Sequence, residues 1–219
     1  MYSELRRMLS GKHRVIPMEY PGHGMRMRNG LMDSPDRIID DMFDQMRRRD
    51  TGEPFMLLGY SLGAKLTYLL YEKYRDNTMF RRLKGIFFCA SSMADVVKTK
   101  DYSLLSDEEL MEYTIGLGGS DFEDEVDHEN FKQFLPVIRN DFILYEYAKK
   151  KIAENEHDLI DEPVYIFYSS DEENIEYYDK FCAEAPGYEY FEGGHFFIHD
   201  HCDKMAYSID EKIRVGVIV

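Results

Sequence analysis

"FMLLGYSLGAKLTYLLYEKY", residues 55–74, decides the fold. Residues 55–58 form a short apolar run that stops at Gly59. From Ala64 onward Leu66, Leu69, Leu70 and Tyr74 recur three and four positions apart, the spacing of one helix face. Gly59-Tyr60-Ser61-Leu62-Gly63 therefore joins a strand to a helix with almost no loop. A serine in that context matches the G-x-S-x-G elbow, in which a sharp turn exposes the hydroxyl as a nucleophile. Side chains at Gly59 and Gly63 are expected to collide with the neighbouring strand and helix. The helix start also places backbone N–H groups beside the serine, where negative charge would develop. The five-residue pattern alone arises by chance in roughly one chain in fifteen of this length. A nucleophile therefore needs a base and an acid elsewhere in the chain.

Outward from the elbow, apolar runs that read as strands lie at 15–19, 85–90, 164–168 and 188–191. Helical patterns fall between most of them, at 35–49, 64–75, 175–184 and 199–213. The alternation predicts an α/β fold, a mostly parallel sheet with helices on both faces, in one domain over 1–219. Residues 101–161 are the exception, with no convincing strand and helical stretches at 106–114 and 131–153. Such an insertion reads as a helical lid, placed at 101–150. Ligands of open α/β sheets gather at the carboxyl ends of the strands. Five segments reach that rim: Pro21-Gly22-His23-Gly24, the Ser61 elbow, 91–95, 169–173 and Gly193-Gly194-His195.

The 219 residues suffice for a large single core, and 44% hydrophobic against 32% charged residues is an ordinary globular balance. No apolar run approaches the ~18 residues of a membrane span, and "MYSELRRMLS" is a charged amphipathic helix rather than a signal peptide. Cys89, Cys182 and Cys202 are odd in number and lack metal-like spacing, which points to free thiols in a reducing cytoplasm. The net charge of −15 makes nucleic acid an unfavourable partner. That charge is uneven: residues 1–100 hold 18 Lys/Arg against 12 Asp/Glu, and residues 101–200 hold 6 against 27.

A serine nucleophile needs a base, and the base an orienting carboxylate. Of seven histidines, His13 starts a strand at the wrong end, His128 and His157 lie in the acidic insertion, and His199 and His201 lie beyond the final strand. His195, in "EGGHFFI", follows that strand directly, where two glycines let the loop fold back over the elbow. Two carboxylates compete as its partner: Asp171 after 164–168, and Asp95 after 85–90. Glu172, Glu173 and Asp179 read as solvated charges at a helix start or surface. Serine, acid, histidine is the chain order of α/β-hydrolases. "HFFIHDH" has no H-E-x-x-H pattern or matched second cluster, so no metal site is assigned.

With these motifs in place, the chain resembles the type II thioesterases that accompany non-ribosomal peptide and polyketide synthases. The matching pieces are "EYPGHGMR", "PFMLLGYSLGAKL", "LSDEELMEYTIGLGG", "FLPVIRNDFILYEYA", "PVYIFYSSDEEN" and "FEGGHFFI", in family order over nearly the whole chain. Leu135, Pro136, Arg139 and Asp141, after the helical lid, weigh most. The resemblance implies an α/β-hydrolase fold with a triad of Ser61, Asp171 and His195. It also implies hydrolysis of small acyl thioesters on the phosphopantetheine arm of an acyl or peptidyl carrier protein, without a cofactor. A general esterase or coenzyme A thioesterase, or a catalytically impaired carrier-binding homologue, are the alternatives.

The chain also departs from the family. Tyr60 stands where the family has His, His23 where it has Arg, and Ser169-Ser170 where a glycine is common. Family members open with a strand and a loop like "PYAGG" about twenty residues before the point where this chain begins. The expectation is a natural polypeptide extending upstream of Met1 by about 15–25 residues, one strand at ~3.3 Å per residue plus a loop. Without that loop, Leu62 N–H is the remaining oxyanion donor. Arg26 and Arg28, just beyond 21–24 on the rim, are the expected carrier-binding charges. Arg47–Arg49 and Arg81, Arg82 and Lys84 sit at the opposite end of the sheet. Met25, Met27, Met32, Met42 and Met46 offer either an adaptable acyl channel or core and surface filler.

Overall fold

Among the described residues four strands in chain order form the sheet: β1 (Phe55–Tyr60), β2 (Leu83–Cys89), β3 (Val164–Tyr168) and β4 (Gly187–Tyr190). All three pairings are parallel. The computed structural model describes residues 2–93, 101–118, 131–154 and 157–217. Among the described residues six α-helices accompany the sheet: α1 (Ser3–Leu9), α2 (Pro35–Arg49), α3 (Leu62–Tyr74), α4 (Asp107–Gly116), α5 (Leu135–Glu154) and α6 (Cys202–Val217).

The side-chain alternation of β2 shows how the layers form, because successive residues of a strand face opposite ways. Ile86 and Phe88 lie in the core shared with α2 and α3, while Phe87 and Cys89 lie in the core shared with α1 and α6. A strand covered on both faces reads as a continuous apolar run, and β2 does. Residues 64–71 of α3 are all buried, which seats the helix that follows Ser61 between sheet and α5. The expected mostly parallel sheet, with helices on both faces, is the fold observed.

Residues 15–19 are not a strand. Pro17 has no N–H to give a ladder. The Glu19 carbonyl is taken instead by Arg26 Nη1 at 2.8 Å and Gln45 Nε2 at 3.0 Å. Among the described residues, β1 is an edge strand, and Phe55–Leu58 are only half-buried. The expected helix at 175–184 is a short 3-10 turn, Ile175–Lys180, entered through a left-handed Asn174. Its neighbour α6 starts at Cys202 rather than at 199. Asp95 and His128 lie outside the described residues.

The insertion divides along α5. Leu144, Ala148 and Ile152 belong to the main core, whereas Leu135 joins Tyr102 and Leu110 in a small separate cluster. Helix α4 begins with a capping box between Ser106 and Glu109. No helix among the described residues is long and apolar enough to cross a membrane.

Candidate active site

Ser61 caps α3 with φ +54° and ψ −117°, a left-handed conformation that costs a non-glycine residue energy. Its N–H donates to the Cys89 carbonyl at 2.8 Å, fastening the elbow to the end of β2. Gly59 has no alternative, since a Cβ there would stand 2.3 Å from the Gly63 carbonyl oxygen. Gly63 differs from expectation: its Cβ would meet only the Tyr20 hydroxyl, at 3.4 Å. Leu62 and Gly63 open α3, so their N–H groups have no intrahelical acceptor. Among the described residues nothing else accepts from them.

His195 reaches the elbow from the loop after β4, with Nε2 2.9 Å from Ser61 Oγ. Its Nδ1 lies 3.1 Å from Glu172 Oε1. An ionised carboxylate can only accept, so Nδ1 carries the proton and Nε2 is left to accept from the serine hydroxyl. The Glu172 side chain is 4% exposed. Burial pushes its pKa up, but hydrogen bonds from His195 and from Ser169 outweigh burial and hold it below the usual carboxylate value. Ser169 supplies two of those bonds to Oε2, from its N–H at 2.8 Å and its hydroxyl at 2.9 Å.

Two expectations are thereby corrected. Glu172 is not a solvated charge, and Asp171 does not meet the imidazole. Asp171 Oδ2 instead accepts the main-chain N–H of His195 at 2.8 Å. The cause is local: Ser169-Ser170-Asp171-Glu172 closes a capping-box-like turn, which swings the fourth residue inward. That S-x-x-E spacing was the available signal. Tyr60, also unassigned from sequence, donates its hydroxyl to the His195 carbonyl at 2.6 Å. The histidine backbone is thus held at both its N–H and its carbonyl.

The rim residues separate. Arg26 forms a two-pronged pair with Asp41 at 2.5 and 2.7 Å and is committed to the fold. Arg28 is exposed and makes no ion pair among the described residues. Beside it Met25 and Met27 are 92% and 58% exposed, while Met42 and Met46 are core residues of α2. His23 Nε2 lies 3.1 Å from both oxygens of Asp141 on α5. The Asp141 hydrogen bond raises the His23 pKa against the effect of burial. All three cysteines are buried and free.

A family model for the thioesterase domain matches residues 1–213. The probable anguibactin biosynthesis thioesterase AngT of Vibrio anguillarum is 24% identical over 211 residues, covering 93% of this chain and 82% of that protein. Among solved structures, ClbQ from the colibactin NRPS/PKS pathway superposes with TM-score 0.85 at 22% identity, covering 99% of this chain and 92% of that one. RedJ, a thioesterase from the prodiginine biosynthetic pathway in Streptomyces coelicolor, gives 0.82 at 22% identity, covering 96% and 80%. Both likenesses establish the fold. With the family model spanning nearly the whole length, this chain belongs to the thioesterase domain family.

Proposed function

We propose that this thioesterase hydrolyses acyl thioesters carried on the phosphopantetheine arm of a carrier protein, in the service of a non-ribosomal peptide or polyketide synthase. Ser61 is the nucleophile, His195 the base and Glu172 its orienting acid. The carrying observation is the single imidazole that reaches Ser61 Oγ on one side and a buried, ionised Glu172 on the other. Ser61 Oγ bonds to the thioester carbonyl carbon as its proton passes to His195 Nε2, and the carbonyl π pair moves onto oxygen. Collapse of that oxyanion breaks the C–S bond, and the thiolate leaves with the proton from His195. Water, deprotonated by His195, then attacks the acyl-serine and releases the acid and the Ser61 hydroxyl. Glu172 stabilises the imidazolium in both halves. Asp171 and Tyr60 position the histidine through its main chain.

The carrier assignment draws on the relatives named above and on the rim. Arg28 offers a positive charge beside exposed Met25 and Met27, where an arm would enter and where an acidic partner finds local attraction. The insertion is the lid of this site, limited to the part of 101–150 that packs in the Tyr102–Leu110–Leu135 cluster.

The test compares butyryl-phosphopantetheinyl carrier protein with p-nitrophenyl butyrate. The carrier substrate is expected to give the higher kcat/KM, and Ser61→Ala to abolish both activities with the fold intact. A higher kcat/KM on the small ester would favour a general esterase, and no Ser61-dependent turnover would leave a non-catalytic carrier binder.

A further inference from the structure

The α3 N-terminus supplies main-chain donors, but two come from adjacent residues of one helical turn. A tetrahedral oxyanion is held best by donors converging from different directions, and losing one costs about 10²–10³-fold in rate. The structure brings a side-chain donor to this turn. Tyr20 Oη lies 3.4 Å from where a Cβ of Gly63 would stand, and among the described residues outside that helical turn nothing else comes within 4 Å of that position. The phenol thus stands beside the first turn of α3. Among the described residues the Tyr20 hydroxyl has no hydrogen-bond partner. The residue is half-buried.

The ring is fixed where it stands. It packs against the main core and meets the His23 imidazole edge-on, with centroids 5.6 Å apart. His23 is itself held by the Pro21 carbonyl at 3.1 Å and by Asp141. Burial and the nearby Asp141 charge push the Tyr20 pKa up, so the phenol stays a neutral donor. A donor aimed in advance, with no other acceptor to leave, stabilises developing charge without reorganisation.

We propose that the Tyr20 hydroxyl donates to the thioester carbonyl oxygen as it becomes an oxyanion, as the second arm of the hole beside Leu62 N–H. This rests on the thioesterase reading of the site. Tyr20 neither gives up its proton nor forms a bond. It stabilises the charge that appears when Ser61 Oγ adds to the carbonyl and that disappears when the C–S bond breaks.

Tyr20→Phe removes one oxygen and no packing, so its melting temperature should match the wild type. On the butyryl thioester of N-acetylcysteamine, kcat should fall about 10²-fold with KM within threefold. A butyl trifluoromethyl ketone, which adds to Ser61 as a tetrahedral hemiketal, should lose affinity in parallel. Tyr2 is a second tyrosine close to the elbow, its ring edge-on to Tyr60 with centroids 6.4 Å apart. Tyr2→Phe should leave both readouts within twofold. The proposal is overturned if Tyr20→Phe keeps kcat and ketone affinity within threefold, if KM carries the loss, or if Tyr2→Phe carries it instead. The ketone arm needs no turnover, so it reads Tyr20 separately. A wild type that binds the ketone through Ser61 yet hydrolyses no thioester would count against the function and leave the Tyr20 comparison standing.

Discussion

Asp171 and Glu172 are neighbours in the chain and hold different things, one a main-chain N–H and the other an imidazole. Only the second contact fixes which nitrogen of His195 bears the proton. Glu172→Gln should therefore lower kcat on a small acyl thioester by about 10²–10⁴-fold, since an amide no longer stabilises the imidazolium and can impose the wrong tautomer. Asp171→Asn weakens one main-chain hydrogen bond and should cost at least ten times less. Steady-state kinetics on both variants decides the order, and the reverse order would return the acid's role to Asp171. That His195 would reach Ser61 was legible in the sequence, because glycines, an apolar run and the start of a helix mark where the backbone must turn. The Glu172–His195 contact was not, because after a strand end a one-residue offset decides which carboxylate turns inward. That offset is set by Ser169 hydrogen bonds that no periodicity records. Tyr60 was hidden for a similar reason: an apolar ring in a strand says nothing of where its hydroxyl lands.

Helix α5 binds three parts of the molecule through three consecutive residues. Arg139 donates to the carbonyls of Tyr102 at 2.8 Å and Leu105 at 2.6 Å, and to Asp107 at 2.7 Å, holding the chain before α4. Asn140 donates to the Met32 carbonyl at 2.9 Å, and Asp141 takes His23 of the PGHG turn. The insertion was readable as helical from its periodicity, but its anchorage was not, since its partners lie 32 to 118 residues upstream. Pro17 was the readable warning that 15–19 would not pair as a strand. The His23–Asp141 link has a testable pH dependence. Its folded pKa is raised above the unfolded value near 6.5, chiefly by the Asp141 hydrogen bond, with Glu19 adding in the same direction. The folded state thus binds this proton more tightly, so the stabilisation is fully present below pH ~6.5 and is lost as pH rises through the folded pKa. Chemical denaturation should show wild type exceeding His23→Gln most at acidic to neutral pH, with the gap shrinking in alkali. A gap that widened with pH would contradict the link.

On the scale of the whole molecule, a chain of net charge −15 repels an acidic partner at a distance. Productive encounter then depends on a local exception, and several positive residues are committed to ion pairs elsewhere. Arg47 pairs with Asp44, and Arg82 with Asp50, away from the elbow. Arg26 stands on the rim but is bound to Asp41. The sequence placed Arg26 and Arg28 together because it shows position and not partners. The structure leaves Arg28 as the rim cation with no ion pair among the described residues. Reversing these two charges should therefore produce different failures. Arg28→Glu should lower kcat/KM on an acylated carrier about tenfold, mostly through KM, and leave the small N-acetylcysteamine thioester unaffected. The loss should shrink as salt is raised, because at 0.15 M the screening length is already about 8 Å. Arg26→Glu should instead lower the melting temperature, since it sets a second carboxylate against the half-buried Asp41 and breaks a two-pronged pair. Its effect on catalysis should be similar for carrier and small substrate. If Arg28→Glu proves silent on the carrier while Arg26→Glu impairs carrier and not small-substrate turnover, docking runs through Arg26 and the Asp41 pair must open to allow it.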